Sequence, residues 1–254
     1  ADMLITLHPT KATGEKAALM SYLLGRGVDL SLPQVVAFEK LKTAVSDEDK
    51  AAAIIAGRLP HEVATSFAGN SKMVWSAIAP QMPTFALLRN LATLEKAKVL
   101  DDFRPQVEAR FNNSDAIEKS KILPFRFLEA EKHVNAGWAK DALRDALELS
   151  FANLADIKGR TAVLLDVSGS MSGYVQIASV FAIALMKKTK GNGRFITFNT
   201  VATDVSVSLR DSILTQASKV QTSGGTNTSS SISKLLESRD KVDNIILITD
   251  EQQN

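Results

Sequence analysis

The sequence contains no cysteine, few aromatic residues and no long apolar run. Without cysteine the protein forms neither disulfide bonds nor thiolate metal sites, which suits an intracellular, cytoplasmic protein. No stretch approaches the roughly 20 apolar residues that a membrane-spanning helix requires. The first residues, Ala1-Asp-Met-Leu-Ile5, show no basic segment followed by an apolar core, so no signal peptide is predicted. We therefore expect no membrane association.

The sequence also lacks an excess of charge of either sign. Its formal net charge is +2, with 21 basic and 20 acidic residues in 1–160 and 9 and 8 in the remainder. Neither part is basic in bulk, so binding to nucleic acid would have to depend on a local patch. No histidine follows His133, and the C-terminal part therefore lacks the commonest general base.

The 254 residues, of which 45% are hydrophobic, are enough for one large globular domain or two ordinary ones. From Lys11 to about Ile157 the apolar spacing predicts short helices and no convincing strand. Stacked helix pairs of the HEAT type fit this pattern, although no regular sequence period confirms them. Prolines near first helical turns support the assignment, at Pro33, Pro60, Pro83 and Pro124. The predicted helices include 16–24, 34–45, 50–55, 74–78, 85–94 and 142–154.

The pattern changes after Ile157-Lys-Gly-Arg160, where we place a domain boundary between residues 1–157 and 158–254. Buried strands then alternate with helices, which predicts a doubly wound, mainly parallel sheet. The chain begins within a helical array and stops after a central strand, so we expect a fragment that is incomplete at both ends. The predicted strands are 162–167, 194–198, 201–207 and 244–250, and the helices are 175–188, 209–217 and 229–237.

The first predicted strand ends in Asp166-Val-Ser168-Gly-Ser170. On an extended chain, side chains at alternate positions point the same way, so one carboxylate and two hydroxyls would converge. Such hard oxygen donors suit Mg²⁺, which binds few carboxylates and retains several waters. The alternative is a simple turn whose polar side chains cap the next helix.

Two further segments favour the metal site over the turn. Ligands of parallel α/β sheets lie outside the carboxyl ends of the strands; Asp250 ends one strand, and the loop Gly224-Gly-Thr226 reaches the same edge. We therefore predict that a cation, Mg²⁺ or another divalent ion, is bound by Asp166, Ser168, Ser170, Thr226 and Asp250. Two carboxylates leave the loaded site near neutral, so we expect binding rather than hydrolysis. A Mg²⁺-dependent nuclease or phosphatase is a weaker alternative.

These motifs resemble known families. Asp166-Val-Ser-Gly-Ser170, Gly224-Gly-Thr226 and Thr249-Asp250 match, in order, the metal-ion-dependent adhesion site (MIDAS) of von Willebrand factor A domains. The upstream part resembles the TROVE module of Ro-type ribonucleoproteins, a family with bacterial members. The stretches that carry this second resemblance are Leu7-His-Pro9 with Lys11, Trp75 to Pro83, Ala86 to Leu91, and Ile122 to Phe127.

The resemblance implies a ring of HEAT-like helical repeats that is closed by the A domain. Such a ring would bind single-stranded ends of misfolded or non-coding RNA in its hole and Y-type RNA on its outer surface. It implies no catalytic activity, and in bacteria it implies an exoribonuclease partner in RNA quality control. By this resemblance we expect the first helices of the ring and the last part of the A domain to lie outside this sequence.

Four residues in the matched stretches are candidates for RNA contact: His8, Lys11, Arg89 and Arg126. His8 could instead cap a helix or pack on Pro9. For Arg89 and Arg126, each on an otherwise apolar helix, pairing with an internal acid or with helix carbonyls is the favoured alternative.

The two tryptophans of the sequence have alternative interpretations. Trp75 and Trp138 could stack on bases, but isolated tryptophans at helical spacing are more often part of a core.

The alternative function is a metal-dependent protein-interaction module, in which the A domain binds an acidic residue of a partner and the helices are scaffold.

Overall fold

In the computed structural model, which describes residues 13–239 and 241–252, helices come first in the chain and a four-stranded sheet follows. The chain folds as two compact units, one up to Val107 and the other from Glu108. None of the described helices has the length and apolar character needed to cross a membrane. The predicted boundary near Ile157 falls within the second unit, where helices give way to strands; as a domain boundary it stays a prediction.

The first unit is helical, as predicted. Pro33 is the first residue of its helix, where a missing N–H is tolerated. Ser46 caps the next helix, because its Oγ accepts a hydrogen bond from the Asp49 N–H at 3.0 Å. The helices are α1 Gly14–Leu23, α2 Pro33–Thr43, α3 Asp47–Gly57, α4 His61–Ala64, α5 Lys72–Ile78 and α6 Thr84–Lys96, and α7 Arg104–Phe111 crosses into the second unit.

Side chains between neighbouring helices form the core of the first unit. Helix α3 packs against α2 and α5. Trp75 is only 5% exposed, and its Nε1 donates to the Gly69 carbonyl at 2.9 Å, so this tryptophan is a core residue. Gln81 Nε2 donates to the Ile54 carbonyl at 3.4 Å and joins the end of α3 to the turn after α5. The HEAT assignment of these pairs stays a prediction.

The second unit opens with helices α8 Ser114–Ser120, α9 Pro124–Lys132 and α10 Gly137–Ser150. Asn113 caps α8, since its Oδ1 accepts from the Ala116 N–H at 2.9 Å. Phe111 meets Phe127 edge to face, with ring centroids 6.1 Å apart. The apolar periodicity of the sequence indicates neither α7 nor α8 and only the start of α9, because short polar helices show little of it.

A four-stranded sheet follows, in the order β3-β2-β1-β4. Strand β1 is parallel to β2 and to β4, and β3 is antiparallel to β2 at the edge. This confirms the predicted doubly wound, mainly parallel fold. The strands are β1 Thr161–Asp166, β2 Gly193–Phe198, β3 Ala202–Val205 and β4 Asn244–Ile248, connected by helices α11 Val175–Lys188, α12 Ile213–Ala217 and α13 Thr228–Glu237.

Both faces of the central strand β1 are buried. Ala162 and Leu164 pack with Leu235 of α13 in one apolar cluster, which β2 completes with Ile196 and Phe198. The alternate residues of β1 point to the opposite face, and α11 packs against the strand. All six residues of β1 are buried, as the continuous apolar run predicted.

Strand β4 is shorter and more exposed than its sequence predicts. The apolar run predicts a strand buried continuously up to Asp250, but β4 ends at Ile248, and Ile245 and Leu247 are 52% and 44% exposed. Strand β4 forms one edge of the described sheet. An apolar run shows that a strand is hydrophobic, but it cannot show whether both faces are covered.

Helix ends carry an unusual set of left-handed residues. Arg58, Lys98, Lys121 and Lys190 follow helices with φ between 44° and 58°, at positions where glycine is the common choice. The left-handed conformation costs a side-chain-bearing residue roughly 1–2 kcal/mol. Their positive charges lie near helix C-termini, where the helix dipole favours them and offsets part of this cost.

Candidate metal centre

Asp166, the last residue of β1, lies at the centre of the candidate site and is completely buried. Its Oδ1 accepts a hydrogen bond from the Ser168 N–H, and its Oδ2 accepts one from Thr249 Oγ1, both at 2.8 Å. Within the described part of the chain, no basic side chain pairs with it. A buried carboxylate without a cationic partner is costly, so this position suits a bound cation.

Ser168 and Ser170 bring two hydroxyls together beside Asp166. Their Oγ atoms are 3.1 Å apart, and Ser168 is only 1% exposed. Gly169 between them donates its N–H to the Gly224 carbonyl at 2.9 Å. A Cβ at Gly169 would lie 3.3 Å from that carbonyl, so glycine permits this close approach of the two segments.

The loop that carries Thr226 is hydrogen-bonded to the end of β1. Ser223 donates its N–H to the Val167 carbonyl at 2.9 Å, and Gly224 turns the chain with φ of +71°. Thr226 itself is buried, with 7% of its surface exposed. The structure therefore places this loop directly against the Ser168–Ser170 segment.

Thr249 and Asp250 follow β4 and reach the same edge of the sheet as Asp166. Thr249 touches the site directly through Asp166, and its Oγ1 also accepts the Glu251 N–H at 3.1 Å. Asp250 is half-buried, and its Oδ1 accepts the Gln252 N–H at 3.2 Å. Thus Asp250 lies next to the residue that binds Asp166, while one of its own oxygens is engaged in a local turn.

The donor set suits a hard cation. Hydroxyl and carboxylate oxygens are the ligands that Mg²⁺ prefers. Each oxygen of Asp166 accepts one hydrogen bond and so retains a lone pair for a metal. Across residues 13–239 and 241–252, no three His, Cys, Asp or Glu side chains gather into a metal-binding group. A site here would therefore rely on serine and threonine hydroxyls, as the motif predicts.

Two residues of the candidate site, Thr249 and Asn199, are not indicated as site residues by the sequence. Thr249 was matched only as part of a motif, yet its hydroxyl orients Asp166. Asn199 follows β2, and its Nδ2 donates to the Ser223 carbonyl at 2.9 Å. A polar residue after a strand of a parallel sheet is the only signal that could have indicated Asn199.

The candidate RNA contacts lie in other parts of the chain. Arg89 and Arg126 are both exposed; the Arg89 guanidinium lies 5.9 Å from the Phe85 ring centroid, and that of Arg126 lies 4.9 Å from Phe125. Neither makes an ion pair with a described residue, and their contact with RNA stays a prediction. His8 and Lys11 lie outside the described residues.

Two protein-family models match this chain. The model of the TROVE domain matches residues 60–190, more than half of the sequence. A second family model, described as VWA domain containing CoxE-like protein, matches residues 133–253. The second match contains all five predicted metal ligands.

Two curated relatives carry the same name, RNA-binding protein RO60. The protein from Caenorhabditis elegans is 31% identical over 57% of this chain and 25% of its own length. The protein from Deinococcus radiodurans is 27% identical over 99% of this chain and 53% of its own length. The chain thus spans about half the length of these relatives, or less.

A solved structure shares the fold. The crystal structure of Deinococcus radiodurans RO (RSR) protein aligns with all of this chain and 57% of its own, with a TM-score of 0.82 at 23% identity. The architecture of helices followed by an A-type sheet therefore agrees with the resemblance found in the sequence. Because the TROVE match covers more than half of the sequence, the chain belongs to the TROVE domain family.

Proposed function

We propose that this chain is an RNA-binding protein without catalytic activity of its own. The observation that carries the proposal is the relationship along 99% of the chain to a protein named as RNA-binding, within the TROVE family. The RNA class that fits the family is non-coding, Y-like RNA or misfolded RNA with a single-stranded end.

Two arginine–phenylalanine pairs support RNA binding from the chain's own residues. Arg89 lies over the exposed ring of Phe85, and the exposed Arg126 lies over the half-buried ring of Phe125. Unpaired bases stack on aromatic rings and on guanidinium planes, and phosphates pair with the charge. Local features of this kind could bind RNA although the net charge is only +2.

The test is fluorescence anisotropy with a labelled RNA hairpin that carries a 3′ single-stranded tail, compared with the same hairpin without a tail. We expect tighter binding of the tailed RNA and an affinity that falls steeply with salt, because phosphate contacts release counterions. Absence of binding, or an affinity that does not change with salt, would refute the proposal.

We further propose that Asp166, Ser168 and Ser170 bind Mg²⁺ or another divalent cation directly, with Thr226 and Asp250 bound directly or through water. The support is the buried carboxylate of Asp166, which no basic side chain of the described residues pairs with, and the two hydroxyls beside it. A bound Mg²⁺ would offer a coordination position to a carboxylate of a partner. Calorimetric titration with Mg²⁺ is the test: binding to the wild type that is lost in Asp166→Ala is expected.

The metal centre favours a second candidate function, metal-dependent docking of a protein. The helices would then be scaffold, and the partner would present an acidic residue; an exoribonuclease is the partner class that fits the family. We expect EDTA and Asp166→Ala to abolish capture of a purified exoribonuclease and to leave RNA affinity unchanged. Capture that survives both treatments would exclude this role. RNA hydrolysis by this chain alone that is lost in Asp250→Ala would favour the nuclease alternative.

A further inference from the structure

Asn199 follows β2 at the carboxyl edge of the sheet, beside the candidate metal centre. Its side chain is bonded at both ends: Nδ2 donates to the carbonyl and the Oγ of Ser223, at 2.9 and 3.2 Å, and Oδ1 accepts the Val201 N–H at 3.0 Å. Its backbone carbonyl accepts the Asn227 N–H at 2.8 Å. Asn199 therefore holds two points of one loop at the same time.

Those two points enclose the part of the loop that belongs to the metal centre. Ser223 and Asn227 lie on either side of Gly224 and Thr226, and Asn199 binds both flanking residues. On its other side the loop is bonded to the end of β1, through Ser223 to Val167 and through Gly169 to Gly224. The loop is thus fixed between β1, which supplies Asp166, and β2, which supplies Asn199.

We propose that Asn199 is a positioning residue that presets the Thr226 loop for the cation. The inference rests on the proposed metal site and deepens it. A loop held in its binding geometry loses less conformational entropy when the cation binds, so affinity rises without a new ligand. Groups outside the ligand shell typically change metal affinity about 10–100-fold when they are removed.

An amide suits this position better than other polar groups. The contacts require a donor toward Ser223 and an acceptor toward Val201 on one short side chain, which asparagine supplies. Aspartate would lack the donor and would also add a negative charge that attracts the cation directly. Substitution with aspartate would therefore mix two effects, and neutral variants test positioning alone.

The experiment measures Mg²⁺ affinity of the full chain by calorimetry for the wild type and for Asn199→Ala and Asn199→Leu. Alanine removes the side-chain bonds, and leucine removes them while keeping a side chain that branches at Cγ. Asn192→Ala is the matched control, because Asn192 precedes β2 at the opposite end of the strand and bonds through its backbone. We expect both Asn199 variants to bind Mg²⁺ at least about tenfold more weakly and the control to bind like the wild type.

Hydrogen exchange of the metal-free proteins supplies a readout that does not depend on the ion. Faster exchange at Ser223 and Asn227 in the Asn199 variants, with unchanged exchange in the β1 strand, is expected of a loosened loop in a folded protein. If the wild type binds Mg²⁺ and Asp166→Ala does not, wild-type affinity in a folded Asn199→Leu would overturn the positioning role. Absence of binding to the wild type would instead overturn the metal site itself.

Discussion

At the scale of single residues, Thr249 determines how Asp166 is presented. Its hydroxyl donates to one carboxylate oxygen, while the Ser168 N–H binds the other. A buried carboxylate that accepts a hydrogen bond on each oxygen cannot rotate without losing one of them. Thr249 therefore fixes the direction in which the remaining lone pairs of Asp166 point.

Replacing Thr249 with valine keeps the side-chain shape and removes this donor. We expect the metal-free protein to lose about 1–2 kcal/mol of unfolding free energy, because a buried carboxylate oxygen loses its partner. Mg²⁺ affinity should fall about tenfold as well. Chemical denaturation and calorimetry measure the two effects. Thr203→Val, on the exposed side of β3, is the control, and an equal loss there would contradict the assigned role.

The sequence indicated some of these residues and could not indicate others. Asp166, Ser168 and Ser170 share one segment, so strand geometry alone predicts that their side chains converge. Asn199 and Ser223 are 24 positions apart, and Thr249 is 83 positions from Asp166. Such contacts depend on strand order and loop path, which local spacing does not encode.

At the scale of elements, α10 is joined to the short helix α12. Glu148 Oε1 accepts the Ile213 and Leu214 N–H groups at 2.7 and 3.3 Å, so a residue of α10 satisfies the first turn of α12. Ser212 adds a cap from the chain itself, through its Oγ to the Thr215 N–H. A five-residue helix has little stability of its own, and this external acceptor supports it.

The variant Glu148→Ala should cost about 1–2 kcal/mol of unfolding free energy, since it removes a cap and a negative charge at a helix N-terminus. Glu148→Gln should cost less, because the amide oxygen still accepts hydrogen bonds. Urea denaturation measures both. Asp145→Ala removes an exposed acid of the same helix α10, and a similar loss in this control would show that only the charge of the helix matters.

The edge strand β3 is held by a charged network. Arg194 of β2 binds Asp204 through two hydrogen bonds, at 2.7 and 3.1 Å, and Lys234 of α13 lies 3.4 Å from the same carboxylate. These hydrogen bonds with Arg194, followed by its charge and by Lys234, lower the pKa of Asp204 below its ordinary value of 3.8. The network links three elements on one side of the sheet.

This lowered pKa predicts a pH dependence of stability. The contribution of Asp204 is complete above the ordinary pKa and is lost as the pH falls through the lower pKa of the folded state. Asp204→Asn should therefore be less stable than the wild type at pH 6, by about 0.2–1 kcal/mol for a pair whose carboxylate is exposed. Denaturation between pH 6 and pH 3 measures the difference, which should shrink below about pH 4. A constant difference would exclude the linkage.

A helix or strand could be predicted from the sequence where its apolar pattern alone defines it. β1 is a continuous apolar run between polar segments, and its burial followed from that run. By contrast, α7 and α8 are short and mostly polar, and they have few apolar contacts, such as that of Phe111 with Phe127. Packing rather than sequence periodicity stabilises such helices. The exposed face of β4 likewise depends on what covers the sheet.

At the scale of the whole molecule, the proposed RNA binding would have to come from local groups, because the charge is balanced. We expect Arg89→Gln and Arg126→Gln each to weaken binding of the tailed RNA about fivefold. Each should also lower the slope of log affinity against log salt by about 0.7 if a phosphate contact is lost. Anisotropy titrations measure both quantities. Arg144→Gln is the control, because Arg144 is already paired with Glu131 at 2.7 Å; equal losses in all three would contradict specific contacts.

The left-handed basic residues at helix ends imply that substitutions at these positions could make the protein more stable. Glycine adopts positive φ without a steric penalty, so Lys98→Gly and Lys121→Gly should each raise the unfolding free energy by about 0.5–1 kcal/mol. Thermal unfolding measures the gain, and Lys98→Ala, which keeps the strain, should show none. A more stable protein is thus within reach of a few substitutions at turns that lie far in sequence from the candidate metal centre.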